Sequence, residues 1–460
     1  MKFSKIIKRT LLVVLAVALV FAIRYAWVSF PNISGYGAKN LCSCIFVAGR
    51  EEKTVQQEEL NDFPVNLGTF SVNKEDSSAT GTVFGLAKRK AIYRKGLGCT
   101  LVNEISEKEI REQPFTAGIN PIINTDTVPW PMGDLLNDSI PAEVDLIKLK
   151  IAVNNAFAEP DTNNKIYTRA VLVVYDGKLV AEQYAPGFTK NTVMLGWSMS
   201  KSIVSALIGI LVKNGKLNIN DTAPVEQWND KSDPKHTITI EQLLQQTSGL
   251  DFLEDYTKAS SVTDMLFKYG DMAAYTAKLP LKYQPGTVFN YSSGNSNILS
   301  SVIRKIVGEQ NYHSFPNKAL FQKTGIYSMV LEPDASGTFV GSSYSYATAR
   351  DWARFGLLYY NDGVFNGERI LPEGWMKKSS VPSAADKRKH YGYQFWLNGF
   401  DKKDLSKRWY PDVPADMFFA DGYGGQNVYI IPSRKAVIVR LGLHVLDENK
   451  MIKQILECLP

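Results

Sequence analysis

Residues 203–212 read Ile-Val-Ser-Ala-Leu-Ile-Gly-Ile-Leu-Val, apolar on nearly every face at helical period. No other segment constrains the fold as strongly. A helix without a polar stripe has no side to offer water, so it must sit in the centre of a domain with other elements packed round it. Lys213, Asn214 and Gly215 supply its C-terminal stop. At its start, in 196–202, Ser198 and Lys201 form an S-x-x-K pair. Residues three apart at a helix start share a face, so the ammonium reaches the hydroxyl. A serine becomes a useful nucleophile when a neighbouring base takes its proton. A lysine is such a base when burial or nearby positive charge lowers its pKa. The first N–H groups of the helix, that of Ser198 included, lack intrahelical partners and can face a developing oxyanion. The same residues also suit a capped core helix with a solvated lysine, so the choice depends on the rest of the chain.

At 460 residues, 45% hydrophobic and 11% aromatic, the chain can bury a large core and has room for more than one domain. Its net charge of +6 is mild, and part of it comes from Lys2, Lys5, Lys8 and Arg9. No basic stripe with interleaved aromatics occurs elsewhere, so nucleic acid is not an expected partner. The N-terminal charges precede an unbroken apolar run over 11–23, and Arg24 interrupts before Tyr25 and Trp27. A basic flank followed by a short apolar core is the pattern of an export signal. Counted on through Phe30, with Arg24 snorkelling, the run is long enough to span a bilayer. No small-x-small cleavage site follows closely. The expectation is a membrane anchor over 1–30, with a cleaved signal and secretion as the alternative. Either places the bulk of the chain on the extracytoplasmic, periplasmic side.

The four cysteines, Cys42, Cys44, Cys99 and Cys458, form no C-x-x-C pair and come with no histidine-rich spacing. No metal or other cofactor is expected. In an oxidising compartment Cys99 has Cys42 or Cys44 as partner, and Cys458 is expected to be free. Leu41-Cys42 lies too far from the apolar run to be a lipobox.

Residues 31 to about 125 lean towards β structure, with strands expected at 82–86 and 90–94, and carry no recognisable chemistry. The stretch 121–141, rich in Pro, Asn, Asp and Gly, reads as a linker or wrapping arm. A new domain follows. Runs at 169–175 and 178–182 flank Asp176-Gly177 and predict a hairpin. Thr239 with Gln242, and Thr348 with Asp351, predict capped helices. Strands are expected at 417–420, 427–431 and 436–440, and a terminal helix over 448–459. Strands at both ends with helices between them imply an α/β fold, with one antiparallel sheet completed by the chain ends, flanking helices and a helical lobe. The expected organisation is an anchor at 1–30, an N-terminal extension at 31–140 and a catalytic domain at 141–460.

Two further pieces of chemistry lie downstream. Tyr291, in the turn-rich loop 285–295, can shuttle a proton to a leaving group if positive charge lowers its pKa from about 10. The segment Ala420-Asp421-Gly422-Tyr423-Gly424-Gly425-Gln426 offers an edge strand whose backbone N–H faces Ser198. In this order the elements resemble the penicillin-recognising serine hydrolases, meaning class C β-lactamases, DD-peptidases and their esterase and amidase relatives. The resemblance extends over roughly 145–460 and includes Gln245 to Leu250, Thr348 to Gly356 and Tyr391 to Trp396. It implies a β-lactamase/transpeptidase-like fold, Ser198 as the acylated nucleophile, Lys201 as general base and Tyr291 as proton relay. The backbone N–H groups of Ser198 and Tyr423 would be the oxyanion donors. Ser293, Asp421 and Gly422 would touch the substrate, a small ester or amide.

The sequence departs from that pattern at two places. Ser293 stands where Asn is usual, and Ala420-Asp421-Gly422 replaces Lys-Thr-Gly. The missing lysine holds the carboxylate of penicillins and stem peptides, whereas an aspartate repels it by on the order of a few kcal/mol when the pair is desolvated. The segment 422–426 looks more like 6-aminohexanoate-dimer hydrolase and related esterases. An esterase or amidase is therefore expected ahead of a DD-carboxypeptidase or β-lactamase. A Ser-His-Asp hydrolase would have to use one of only four histidines, with His444 the one in suitable chain order, and would leave Lys201 and Tyr291 without a role. A catalytically silent binding or sensing module of the same fold is the non-enzymatic alternative.

Overall fold

The computed structural model describes residues 2–116, 118, 123–136, 140–161 and 165–460. Four strands near the N-terminus, β1 (Gly68–Asn73), β2 (Ser78–Val83), β3 (Leu86–Arg94) and β4 (Gly98–Leu101), form a meander in chain order. One helix, Lys2–Phe46, lies across it. The expectation of β-leaning structure from residue 31 is thus corrected at its start, because the apolar helix continues for sixteen residues past the expected boundary. Its inner part contributes Ile33, Ala38 and Leu41 to a core with Phe70, Ala79, Val83 and Ala91. A Cβ at Gly37 would meet the Phe70 ring at 1.9 Å, so glycine is required for the helix to lie this close to the sheet. Packing against the sheet sustains the helix here through residues of low helical propensity.

The outer part is apolar and exposed, and the helix is long and apolar enough to cross a membrane. A disulfide joins Cys42 to Cys99, while Cys44 and Cys458 are free and buried. The buried Lys39 ammonium pairs with Glu332, which also accepts from Ser43 Oγ at 2.9 Å and from the Cys99 N–H at 2.6 Å. These bonds tie the N-terminal layer to the rest of the chain.

The principal sheet begins with the expected hairpin, β5 (Thr168–Tyr175) and β6 (Lys178–Tyr184), whose Asp176 and Gly177 both have positive φ. Three small strands, β7 (Met194–Leu195), β8 (Val330–Leu331) and β9 (Ser345–Ala347), form a second sheet in the order β7-β9-β8, and β10 (Val364–Phe365) pairs with β11 (Glu368–Arg369). The chain then completes the principal sheet with β12 (Trp396–Leu397), β13 (Phe418–Gly422), β14 (Gln426–Ile431) and β15 (Ala436–Gly442). Its order is β12-β13-β14-β15-β5-β6, antiparallel throughout.

Side chains alternate across this sheet as the period of two requires. Leu172, Val174, Val428, Val437 and Val439 face a core with Trp352 and Phe355 and with the central helix Ser200–Lys213. Val171, Val173, Tyr429 and Ile438 face the terminal helix Glu448–Leu456 and the helix Leu146–Asn155. The central helix is buried over all but its last two residues. Of the stretch 121–141, residues 121–122 and 137–139 lie outside the described residues. The described part wraps onto the helix Ala349–Tyr360, where Arg350 donates to the Asp134 carbonyl at 3.0 Å and Arg354 to its carboxylate at 2.8 Å.

Candidate active site

Ser198 lies in a single tight turn, Trp197–Met199, and the α-helix proper starts at Ser200. The turn is anchored by the Gly196 N–H bonding the Ser345 carbonyl at 2.7 Å and by Ser200 Oγ donating to the Trp197 carbonyl at 2.6 Å. Trp197 has φ +47°, a strained backbone for a bulky residue. Its ring is held by Tyr36 of the N-terminal helix, stacked at 6.1 Å, and by Tyr423, edge-on at 5.9 Å.

Lys201, one turn on, directs its ammonium at Ser198 Oγ at 2.9 Å, Ser293 Oγ at 3.1 Å and the Ser342 carbonyl at 2.8 Å. Burial lowers its pKa from 10.5 to about 8, against the opposing pull of Glu254 and Asp421. A substantial fraction is therefore neutral at mildly alkaline pH and able to accept a proton.

Tyr291 precedes the helix Ser293–Val307, which Ser292 caps by accepting the Asn295 N–H at 3.3 Å. Its ring lies 4.9 Å below the Lys201 ammonium and packs on Trp396 at 4.9 Å and Tyr391 at 5.6 Å. The expected lowering of its pKa does not occur. Burial pushes the phenol well above its usual range, and a hydrogen bond with Ser198 offsets this only in part. Tyr291 is a neutral phenol here, suited to donating and passing on a proton rather than to acting as an anionic base.

The loop carrying Tyr291 is positioned by Gln246. Its side-chain carbonyl accepts from the Ser292 N–H at 3.1 Å and from Asn295 Nδ2 at 2.8 Å, and its backbone carbonyl accepts from the Asn290 N–H at 2.8 Å. Gln394 adds a second brace, accepting from Ser296 Oγ at 2.6 Å through its side chain and from Ser202 Oγ at 2.7 Å through its backbone. The runs 245–250 and 391–396 thus serve to position the loop.

At Gly422, the last residue of β13, a Cβ would meet the Gly196 carbonyl oxygen at 2.2 Å. Only glycine lets the strand end abut the serine turn, and this places Tyr423 beside it. Asp421 precedes Gly422 on β13. Burial first, then Glu448, raises its carboxyl well above the usual carboxylate range, with Lys201 opposing. Asp421 therefore brings no cation to this strand end.

Glu254 was not identified from the sequence. It accepts from the Ser293 N–H at 2.8 Å, Ser293 Oγ at 2.6 Å and Tyr256 Oη at 2.8 Å. Ser293 thereby links Lys201 to a carboxylate. Nothing in the local pattern around Glu254 marks it, since Ser293, which ties it to Lys201, lies 39 residues downstream. The histidines are engaged elsewhere, with His390 Nδ1 2.8 Å from Asp386 and His444 Nε2 3.8 Å from Asp62. Among the described residues no cluster suited to a metal ion occurs.

The Beta-lactamase family model matches residues 153–442. The 6-aminohexanoate-dimer hydrolase of Paenarthrobacter ureafaciens is 23% identical over 297 residues, covering 60% of this chain and 72% of that protein. Among solved structures, a penicillin-binding protein homologue from Caulobacter crescentus superposes with a TM-score of 0.53 at 15% identity, over 69% of this chain and 97% of that one. A family VIII carboxylesterase also superposes with a TM-score of 0.53 at 15% identity, over 68% and 98% respectively.

Proposed function

The chain belongs to the β-lactamase family, and from that premise we propose that it is an extracytoplasmic serine hydrolase that cleaves a neutral ester or amide through an acyl-enzyme on Ser198. The observation that carries this reading is the 2.9 Å bond between Lys201 and Ser198 Oγ, made by a lysine whose pKa is lowered to about 8. In the acylation step neutral Lys201 takes the Ser198 proton while Oγ attacks the substrate carbonyl. The N–H groups of Ser198 and Tyr423 bind the oxyanion. Tyr291 donates its proton to the departing alcohol or amine and is reprotonated from Lys201. Water, activated by the same groups, then releases the acid and restores the hydroxyl.

Residues 1–30 act as the anchor, with Lys2, Lys5, Lys8 and Arg9 keeping the N-terminus in the cytoplasm. Residues 31–140 form the supporting extension and 141–460 the hydrolase domain. The absence of a cation at Asp421 favours substrates without a carboxylate beside the scissile bond. The test is turnover of short-chain nitrophenyl esters, linear amides and benzylpenicillin by one preparation of the full chain. Neutral esters or amides are expected to be cleaved faster than benzylpenicillin. The opposite order contradicts the proposed specificity, and a Ser198→Ala chain of undiminished activity contradicts the mechanism.

A further inference from the structure

The β2–β3 hairpin turns on Phe84 and Gly85, with φ +51° and +75°, the two-residue geometry for which Asn-Gly or Asp-Gly is the ordinary choice. A phenylalanine at positive φ is strained, and burial does not compensate, since Phe84 is 69% exposed and Leu86 61%. A strained turn that displays two large apolar side chains points to a partner outside the protein.

The position of the tip identifies that partner. Phe84 meets Phe30 of the N-terminal helix edge-on at 5.8 Å, and a Cβ at Gly81 would touch the Ser34 carbonyl at 2.4 Å. β2 therefore runs along the helix towards the level at which the helix leaves the protein body. Outward from there the helix is exposed at nearly every position from Leu11 to Trp27 and apolar but for Arg24, a rise of roughly 24 Å, most of the roughly 30 Å of a bilayer's hydrocarbon core. Tyr25 and Trp27, both exposed, stand at its outer end, where aromatic side chains favour the membrane interface. Behind the tip, β3 carries exposed Lys88 and half-buried Arg89, cations at the depth of anionic headgroups.

We propose that the β2–β3 tip, through Phe84 and Leu86 with Lys88 and Arg89 behind them, inserts into the outer interface of the bilayer that the helix spans. The proposal rests on the reading of residues 1–30 as an anchor. Two contacts fix the tilt of the protein, as a single helix would not. Tyr36, whose ring stacks on Trp197 beside Ser198, lies about 14 Å past Trp27 along the helix. The serine is thereby held at a set height near the membrane surface, facing substrates that concentrate there.

The test uses the full chain in vesicles of phosphatidylcholine and phosphatidylglycerol, with a nitroxide at Phe84→Cys, at Leu86→Cys or, as an aqueous reference, at exposed Lys402→Cys. The native thiols are buried or joined in the disulfide, so the label reports the introduced site. Collision with oxygen and with a water-soluble nickel chelate reads depth. At an interfacial depth of about 5–10 Å, the ratio of nickel to oxygen accessibility at 84 or 86 is expected to fall roughly 10-fold below that at 402. Equal ratios at all three positions overturn the tip contact, and if the chain still floats with the vesicles the anchor reading stands. A chain that does not float overturns both.

Discussion

Lys201→Met is expected to abolish turnover and at the same time to stabilise the protein near neutral pH. The wild-type side chain is fully buried, and burial lowers its pKa from 10.5 to about 8. That shift means the folded chain holds the ammonium less favourably than the unfolded chain by about 3.4 kcal/mol at pH 7. Methionine removes this cost, while stranding the Ser342 carbonyl, which accepts from Lys201 at 2.8 Å, costs about 1–3 kcal/mol. The net gain is about 1 kcal/mol.

The sign of the pH dependence follows from proton counting. Between pH 8 and 10.5 the unfolded chain still binds the lysine proton that the folded chain has released, so wild-type stability rises with pH. From pH 7 to pH 10 the wild type gains about 2.5 kcal/mol on the variant, and the order of stability reverses. Urea denaturation of both chains in detergent micelles across this range, read by far-ultraviolet circular dichroism, measures the difference. A gap that stays constant from pH 7 to pH 10 refutes a buried lysine of lowered pKa.

Tyr291→Phe is expected to keep the fold and slow turnover on the order of 10²-fold or more, with amides suffering more than activated esters; equal losses on both would make Tyr291 structural. Glu254→Gln removes a carboxylate that holds the Lys201 pKa up, so the acidic limb of the kcat/KM profile, expected near pH 8 in the wild type, should move to lower pH, and an unmoved limb contradicts the coupling. Asp421→Lys supplies the missing cation and is expected to raise activity on benzylpenicillin relative to a neutral ester on the order of 10-fold; an unchanged ratio places residue 421 away from the substrate.

Much of this architecture can be read in the chain because local rules and tertiary packing agree. The β5–β6 hairpin follows from the valine-rich run before Asp176-Gly177 and the Leu-Val-Ala run after it, and the helix Ile240–Leu244 from its reciprocal cap between Thr239 and Gln242. The central helix is buried as its uniform apolarity requires. Where local preference and packing disagree, the sequence misleads. Residues 31–46, with Pro31, Gly35 and Gly37, look poor for a helix, yet they continue one because the glycines admit the aromatic side chains and sheet that pack on it.

The candidate site divides in the same way. Ser198 and Lys201 are near in sequence, so their contact can be foreseen. Glu254, the Ser342 carbonyl and Tyr36 reach the site only through the fold, and no spacing announces them. Burial raises the phenol of Tyr291 and the carboxyl of Asp421 above their usual ranges, an effect of the fold that residue type does not announce.

The most direct test of a lysine-activated serine is covalent capture. The full chain is incubated with a fluorophosphonate, its intact mass is followed over a range of pH, and the adduct is mapped by peptide sequencing. One adduct per chain is expected, on Ser198, forming at a rate that rises with pH through about 8 and lost in Lys201→Met. A folded chain that takes up no label, or one labelled at a residue other than Ser198, contradicts it.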